Sequence, residues 1–102
     1  MSSGSHKRLQ ALTEDALRQL IRVALDKGYY TEYLHHPERN ISVDDVIHGL
    51  ERNDWTLARI EWNEAHQRYS YRVSTVDIEG DGLIVLVAAH PQQKRIEILS
   101  AW

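Results

Sequence analysis

The hydrophobic pattern of this chain changes its period near Trp55, and that change constrains the fold more than any other feature. Before Trp55, apolar residues recur every three or four positions, as they do on one face of an amphipathic helix. After Trp55, apolar and polar residues alternate, as they do on the two faces of a β-strand. The sequence therefore predicts an α+β protein in which helices precede a sheet.

Two helices are predicted in the first half of the chain. The first spans residues 9–27, with Thr13 capping an acidic first turn and Gly28 ending the helix. The second begins at Ser42, because residues 42–45 resemble a capping box in which aspartate replaces the usual glutamate. We expect Asn53 to terminate this second helix.

Four strands are predicted after the change of period, at residues 55–62, 68–75, 83–89 and 95–102. The connections NEAHQ, EGDG and HPQQK are short and polar, so neighbouring strands are expected to pair as antiparallel hairpins. The third strand, LIVLVAA, is apolar on both faces, which indicates a central position. The expected fold is two N-terminal helices packed on one face of a four-stranded antiparallel β-meander.

Composition and charge narrow the functional classes. The chain of 102 residues is expected to form one domain at residues 9–102, after a disordered or tag-like start at residues 1–8. It has no cysteine, which excludes disulfides and thiolate metal sites, and no apolar run near the ~20 residues that span a bilayer. The net charge of −3 counts against a dedicated nucleic-acid binder. We expect a soluble, cytoplasmic protein with no membrane partner.

Two segments suggest a metal site only weakly. His35 and His36 are adjacent, so their side chains diverge and do not easily chelate one ion. A shared site would need a further histidine, from among His48, His66 and His90. Residues 77–82, DIEGDG, match the opening of a calcium loop, but the closing glutamate position falls on Ala88 within a predicted strand. A hairpin turn explains the same residues, and we predict no metal and no cofactor.

Arginines and tyrosines alternate along the second predicted strand, RYSYRVST. Arg68 and Arg72 are expected on one side, ~13 Å apart, where Arg59 of the preceding strand can join them. Such a face can bind phosphates and stack bases. The alternative, which we favour, is that the tyrosines pack on the helices while the arginines are solvated and pair with Glu61 or Glu97 across strands.

Two stretches resemble a known protein family. RNISVDDV, at residues 39–46, is similar to the R-G-I-S-x-E-E-V element of a widespread family of small bacterial domains of unknown function. YRVSTVDIEGDGLIVLVAAHPQQKRIEILSAW, at residues 71–102, is similar to the closing strands of that family. The resemblance covers roughly residues 30–102. Family members look like relatives of the RelE-type toxin fold, whose small α+β endoribonucleases use histidine, arginine and tyrosine instead of a metal.

The resemblance implies a candidate ribonuclease site made of His36, Arg39, Tyr71 and Arg72. A base would activate the ribose 2′-OH, and a cation would stabilise the developing phosphorane. The family pattern begins H-A-x-x-R-M-x-x-R-G-I-S. When it is aligned without gaps on RNIS, its histidine falls on Thr31 and its first arginine falls on His35. Both positions most suited to chemistry are therefore replaced, which favours a function without catalysis.

The preferred functional prediction is a non-catalytic module that binds a protein partner or forms a homodimer. Aromatic side chains are common interface anchors, and the candidates are Tyr29, Tyr30, Tyr33, Trp55, Trp62 and Trp102. One alternative is a metal-independent endoribonuclease, for which RNA is the partner. Another is a regulator or inhibitor of a partner enzyme.

Overall fold

The structure is a computed structural model that describes residues 10–33 and 41–102. Its elements in chain order are helix α1 (Glu14–Lys27), strand β1 (Tyr30–Glu32), helix α2 (Val43–Glu51), and strands β2 (Thr56–Asn63), β3 (Arg68–Val76), β4 (Gly82–His90) and β5 (Arg95–Ala101). A 3₁₀ turn at Pro91–Gln93 joins β4 to β5. The α+β class is therefore confirmed.

Helix α1 has the end signals that the sequence predicts. The Thr13 side chain accepts a hydrogen bond from the Ala16 N–H at 3.1 Å, and Gly28 adopts the left-handed conformation with φ 74°. The predicted start near residue 9 is corrected, because Thr13 has extended backbone and the helix begins at Glu14. Residue 9 itself lies outside the described residues.

Helix α2 carries the predicted capping box. The Ser42 hydroxyl accepts a hydrogen bond from the Asp45 N–H at 3.2 Å, and the Asp45 carboxylate accepts one from the Ser42 N–H at 3.1 Å. Aspartate therefore performs the role that glutamate has in the usual motif. The helix ends at Glu51, before the predicted terminator Asn53, because the backbone is already extended at Arg52.

The sheet has five strands in the order β1-β5-β4-β3-β2, with β4 in the centre as expected. Strands β2 to β5 form the predicted antiparallel meander. The prediction of a purely four-stranded antiparallel sheet is corrected by β1, which pairs parallel to β5 and makes the sheet mixed. A three-residue strand has too short an apolar pattern to be recognised, and its partner lies at the far end of the chain.

Both helices pack on one face of this sheet around a single core. The fully buried apolar side chains of α1 and α2 are Leu17, Ile21, Ala24 and Val46, and those of the sheet include Val73, Val85, Val87, Ile96 and Ile98. In residues 10–33 and 41–102, no helix packs on the opposite face, which we call the helix-free face. Its charged side chains are those of Arg59, Glu61, Arg68, Arg72, His90, Arg95 and Glu97.

A bulge interrupts β2 between Leu57 and Arg59. Uninterrupted alternation predicts both side chains on one face, but Leu57 packs against the core whereas Arg59 lies opposite Arg72 on the helix-free face. The extra residue, Ala58, is exposed. The alternation of apolar and polar residues in β2 shifts by one position at Ala58. The bulge therefore lets apolar side chains on both sides of this shift face the core.

The turn between β3 and β4 is organised by Asp77, whose carboxylate accepts hydrogen bonds from the N–H groups of Glu79 and Asp81 at 3.0 and 2.9 Å. Gly80 supplies the positive φ of 90° that this turn needs. The hairpin-turn interpretation of DIEGDG is confirmed.

Helix α2 approaches β3 most closely at Gly49, where we expect a methyl group to be destabilising. A Cβ at this position would lie 2.6 Å from the Thr75 Cγ2 and 3.0 Å from the Val76 carbonyl oxygen. Thr75 cannot easily rotate away, because its hydroxyl donates to the Gly49 carbonyl at 2.8 Å. Helix propensity favours alanine by about 1 kcal/mol, but overpacking costs about 1–3 kcal/mol.

Chemical denaturation should therefore show that Gly49→Ala lowers the free energy of unfolding by up to about 2 kcal/mol. Gly82→Ala is the control, because a Cβ there meets nothing within 4 Å. A Gly49→Ala variant more stable than the wild type would contradict this packing.

Candidate functional site on the helix-free face

The four predicted catalytic residues do not lie together on a described surface. His36 and Arg39 lie outside the described residues. Tyr71 and Arg72 are consecutive in β3, so their side chains point to opposite faces of the sheet. Tyr71 belongs to the core beneath the helices, and Arg72 lies on the helix-free face. The catalytic role of this set stays a prediction, and the sheet separates the two members that are described.

Tyr71 has a structural contact that accounts for its hydroxyl. The side chain is buried, and its oxygen accepts a hydrogen bond from the Leu12 N–H at 3.0 Å. Burial raises the pKa of Tyr71, an effect that the Leu12 hydrogen bond only partly offsets. The phenol therefore keeps its proton at neutral pH and attaches the segment before α1 to the sheet.

Glu97 is the centre of a group of charged side chains, which we call the Glu97 cluster. It comprises Glu97, Arg68, His90 and Arg95, from three adjacent strands. Arg68 Nη1 and His90 Nε2 both contact Oε2 of Glu97 at hydrogen-bond distance, and Arg95 Nη2 lies 3.9 Å from the same oxygen. Only 8% of Glu97 is exposed. One carboxylate thus interacts with three basic side chains.

The strand register explains why these residues meet. Ser70 pairs with Ala88, and Ala88 pairs with Glu97, so the three strands align side by side at this level. Two residues along, Arg68 and His90 occupy neighbouring positions on the same face, because side chains alternate with a period of two. Both reach diagonally to the Glu97 carboxylate.

Electrostatics keep Glu97 ionised. Burial alone raises the pKa of Glu97, but the hydrogen bond from His90 and the positive charges of Arg68 and Arg95 outweigh burial. The pKa of Glu97 is therefore lowered from its ordinary value. Since an ionised carboxylate only accepts hydrogen bonds, the proton between the two side chains lies on His90 Nε2. Arg68 is neutralised by the same carboxylate.

A second charged group surrounds Glu61 on the same face, and we call it the Glu61 cluster. Arg72 Nε lies 3.0 Å from Glu61 Oε1, an ion pair without a well-directed hydrogen bond, and Arg59 Nε lies 3.6 Å from the same oxygen. The Arg72 guanidinium also lies 5.4 Å from the ring centroid of Trp102, within cation–π range. Arg59 and Arg72 face each other across β2 and β3, and Glu61 offsets their repulsion.

The favoured interpretation of the arginine-rich strand is thus confirmed for its ion pairs and for Tyr71, whereas the expectation of solvated arginines is wrong for Arg68, whose side chain is 20% exposed. Arg68 pairs with Glu97, Arg72 pairs with Glu61, and Tyr71 packs in the core. The sequence predicted the acidic partners but missed His90, which reaches Glu97 across the hairpin at HPQQK. The signal was present, because a short hairpin brings a histidine before the turn next to an acid after it.

Of the six aromatic residues predicted as interface anchors, three are exposed, namely Tyr29, Tyr33 and Trp102. Trp55 is corrected, because it is 2% exposed and belongs to the core, with the Arg18 guanidinium 4.3 Å from its ring centroid. Tyr30 and Trp62 are half-buried and pack against neighbouring apolar side chains.

Strand β2 is the longer of the two edge strands of the sheet in the described parts of the chain, and its Leu57 N–H already donates to the Glu14 carboxylate at 2.7 Å. Strand β2 has eight residues and lies at the end of the strand order, whereas β1, at the other end, has three. Ile60 is 40% exposed on this edge. An edge strand presents unpaired N–H and C=O groups that can bind a further strand. The sequence analysis did not identify this edge.

A cleft of about 180 Å³ lies at one end of the sheet, between Leu12, Trp62, Tyr69 and the 3₁₀ turn. Aromatic rings and glutamines line much of this cleft, and Arg68 and His90 of the Glu97 cluster line it as well. No group of three or more histidine, aspartate or glutamate side chains within residues 10–33 and 41–102 is placed to hold a metal ion. The described helices include none that is long and apolar enough to cross a membrane.

Comparisons with protein-family models, with curated proteins and with solved structures each return no match. The similarity to the small bacterial family and to the RelE-type fold therefore stays a prediction from short motifs. The function has to be inferred from the geometry of the molecule itself.

The contact of Tyr71 with Leu12 predicts a stability effect for Tyr71→Phe. Removing the hydroxyl leaves the part-buried Leu12 N–H without its acceptor, which should cost about 1 kcal/mol of unfolding free energy. Tyr29→Phe, at an exposed tyrosine, is the matched control and should change stability by less than about 0.5 kcal/mol. Equal stability of the two variants in chemical denaturation would refute the structural role of the Tyr71 hydroxyl.

The lowered pKa of Glu97 predicts a pH-dependent stability difference between the wild type and Glu97→Gln. A carboxyl whose pKa falls on folding stabilises the protein above its unfolded pKa of about 4.3 and loses that effect as the pH falls through the folded pKa. The advantage of the wild type should therefore be full at pH 5 and shrink steadily from about pH 4 downward. Denaturation curves across this range measure it. The exposed Glu79→Gln should show no such trend.

Proposed function

We propose that this protein is a non-catalytic protein-interaction module whose binding surface is the outer edge of β2. The observation that carries the proposal is the eight-residue edge strand, which has β3 as its one neighbouring strand within the described residues and on which Ile60 is 40% exposed. Long edge strands in proteins are commonly shortened, covered or paired, because an exposed edge attracts other strands. A partner strand bound at the edge of β2 would cover this edge, and binding that partner is the proposed function.

The side chains next to this edge have the chemistry of a binding interface. Arg72 lies on β3, the strand that pairs with β2, and its guanidinium approaches the ring of Trp102, which follows β5 and is 37% exposed. Arginine and tryptophan are the residues that most often dominate binding energy in protein interfaces. Arg59 and Glu61 add one charge of each sign along the edge itself, which favours a partner with complementary charges.

The ion pairs of the helix-free face favour protein binding over nucleic-acid binding. Arg68 and Arg72 each contact a carboxylate within the sheet, although the four arginines of this face outnumber its two carboxylates. Nucleic-acid affinity depends on releasing counterions through uncompensated Lys and Arg side chains. A regulator or inhibitor of another enzyme is one form that such an interaction module can take.

Metal-independent RNA cleavage is the second candidate, and the Glu97 cluster is the observation that favours it. His90 is oriented by an ionised carboxylate and lies close to Arg68, which together supply a base and a cation. We rank RNA cleavage second because of Glu97. Its negative charge would repel a phosphate and is already paired with Arg68. The family resemblance is compatible with either function.

Site-specific photocrosslinking in cells tests the proposed surface. A benzophenone amino acid at position 60 should form covalent adducts with a polypeptide, because this side chain lies on the edge. The same amino acid at position 78 is the control, since Ile78 is 57% exposed but lies in the β3–β4 turn. Adducts at 78 but none at 60 would remove the support for β2 as the binding surface.

An RNA cleavage assay separates the two candidates. The purified wild type and His90→Ala should both leave RNA intact in the presence of a chelator. Cleavage by the wild type that is lost in His90→Ala, with folding confirmed by circular dichroism, would replace the interaction function by the ribonuclease.

A further inference from the structure

We infer that the cleft at the end of the sheet binds a neutral, flat heteroaromatic ring that carries adjacent N–H and C=O groups, the chemistry of a pyrimidine nucleobase. The cleft is bounded by the segment before α1, the turn after β2 and the 3₁₀ turn after β4. This inference goes beyond the proposed function and does not use the edge of β2.

The size of the cleft fits one ring of this kind. Its volume is about 180 Å³. An apolar cavity of about 150 Å³ engineered into another protein holds a benzene molecule. The additional volume suits the small substituents of a pyrimidine. Since the cleft is open on one side, a larger group attached to the ring can extend into solvent.

A row of three aromatic rings forms the apolar wall of the cleft. Tyr69 is the middle ring, with its centroid 4.9 Å from that of Trp62 and 6.3 Å from that of Tyr71. Trp62 Nε1 donates a hydrogen bond to the Glu64 carboxylate. The Tyr71 hydroxyl accepts one from the Leu12 N–H, so both neighbours of Tyr69 are held by partners of their own. Tyr69 is therefore a fixed, half-buried ring in the cleft wall, on which a flat heterocycle can stack.

Glutamines supply most of the neutral polar groups around this wall. Four of the twelve described residues that line the cleft are glutamines, namely Gln10, Gln67, Gln92 and Gln93. A carboxamide has a donor and an acceptor side by side, so it can form two hydrogen bonds with the N–H and C=O groups of one nucleobase edge. Aromatic rings combined with carboxamides match a neutral heterocycle better than a purely apolar molecule.

The charged end of the cleft disfavours a ligand that is anchored by a phosphate. Arg68 and His90 line this end, and both contact the Glu97 carboxylate. Glu97 is ionised, because its basic neighbours lower its pKa. Its negative charge opposes that of a phosphate next to Arg68. The cleft therefore favours a ligand that is held by its ring.

The backbone of Gln67 is a second, independent observation that points to this cleft. Gln67 adopts the left-handed conformation, with φ 50°, in the turn between β2 and β3. Glycine adopts this conformation at the lowest cost, yet the chain has glutamine here. The Gln67 Nε2 donates to the Glu64 carbonyl at 2.8 Å, which still leaves the carboxamide a carbonyl oxygen and a second N–H. Backbone strain of this kind is typical of binding sites, where the side chain is needed.

Titration of the full chain with uracil and with uridine, observed by protein NMR, tests the inference. Both ligands should shift the amide signals of Gln67, Tyr69 and Ala89, with a dissociation constant below about 5 mM for a ligand of so few atoms. Phenol, a ring of similar size without adjacent N–H and C=O groups, should bind at least about fivefold more weakly than uracil. Uridine 5′-monophosphate should bind no more tightly than uridine.

Gln67→Gly separates binding from folding. Glycine relieves the left-handed backbone and removes the carboxamide, so this variant should be at least as stable as the wild type in chemical denaturation. It should nevertheless bind uracil at least about fivefold more weakly. Lys94→Gly is the matched control, because Lys94 also has a positive φ, 53°, in the turn between β4 and β5 but does not line this cleft. It should leave the affinity unchanged.

Substitutions of Tyr69 test the stacking surface. Tyr69→Leu removes the ring and should weaken uracil binding about tenfold, whereas Tyr69→Phe keeps the ring and should bind like the wild type. Circular dichroism of each variant identifies loss of folding.

Three results would overturn the inference. The first is the absence of shifts with uracil and uridine at about 20 mM. The second is equal affinity for phenol and uracil, or unchanged uracil binding by Gln67→Gly, because the glutamines would then not recognise the ring. The third is tighter binding of uridine 5′-monophosphate than of uridine, which would make the cleft an anion site. None of these results bears on crosslinking at position 60, which tests the edge of β2.

Discussion

The apolar side chains of α1 and α2 share one core with a single face of the sheet, and this contact governs the rest of the structure. Leu17 and Ile21 from α1 and Val46 from α2 are fully buried together with Val85 of β4 and Ile98 of β5. Two helices of this length cover one face only. The described chain provides no second layer for the other face, which therefore carries charged side chains, and the buried one among them, Glu97, is paired with basic neighbours.

That requirement explains the distribution of charge on the helix-free face. Two carboxylates, Glu61 and Glu97, each lie among basic side chains that would otherwise repel one another in adjacent strands. The pairing stabilises the face and reduces its positive charge without removing it, because two carboxylates are shared among four arginines. The two arginines that suggested RNA binding in the sequence, Arg68 and Arg72, therefore each have a carboxylate partner within the sheet.

The two edges of the sheet differ in a way that bears on function. One edge is formed by β1, which is too short to accept more than a few hydrogen bonds from another strand. The other is formed by β2, whose regular part lies between a bulge and a turn and contains the exposed Ile60. The fold thus restricts association at one edge more than at the other, and Arg72 lies on β3, the strand that pairs with β2.

The sequence by itself determined the features that depend on neighbouring residues: the Thr13 and Ser42 caps, the end of α1 at Gly28, the three hairpins, and the separation of Tyr71 from Arg72. Each of these follows from hydrogen bonds or side-chain alternation within a few positions. Only the tertiary structure decided the parallel pairing of β1 with β5, the face of the sheet on which Leu57 lies next to the bulge, and the contact of His90 with Glu97. Those features depend on the register between strands, which is set by how the whole sheet packs against the helices and is not encoded in any short stretch of the chain.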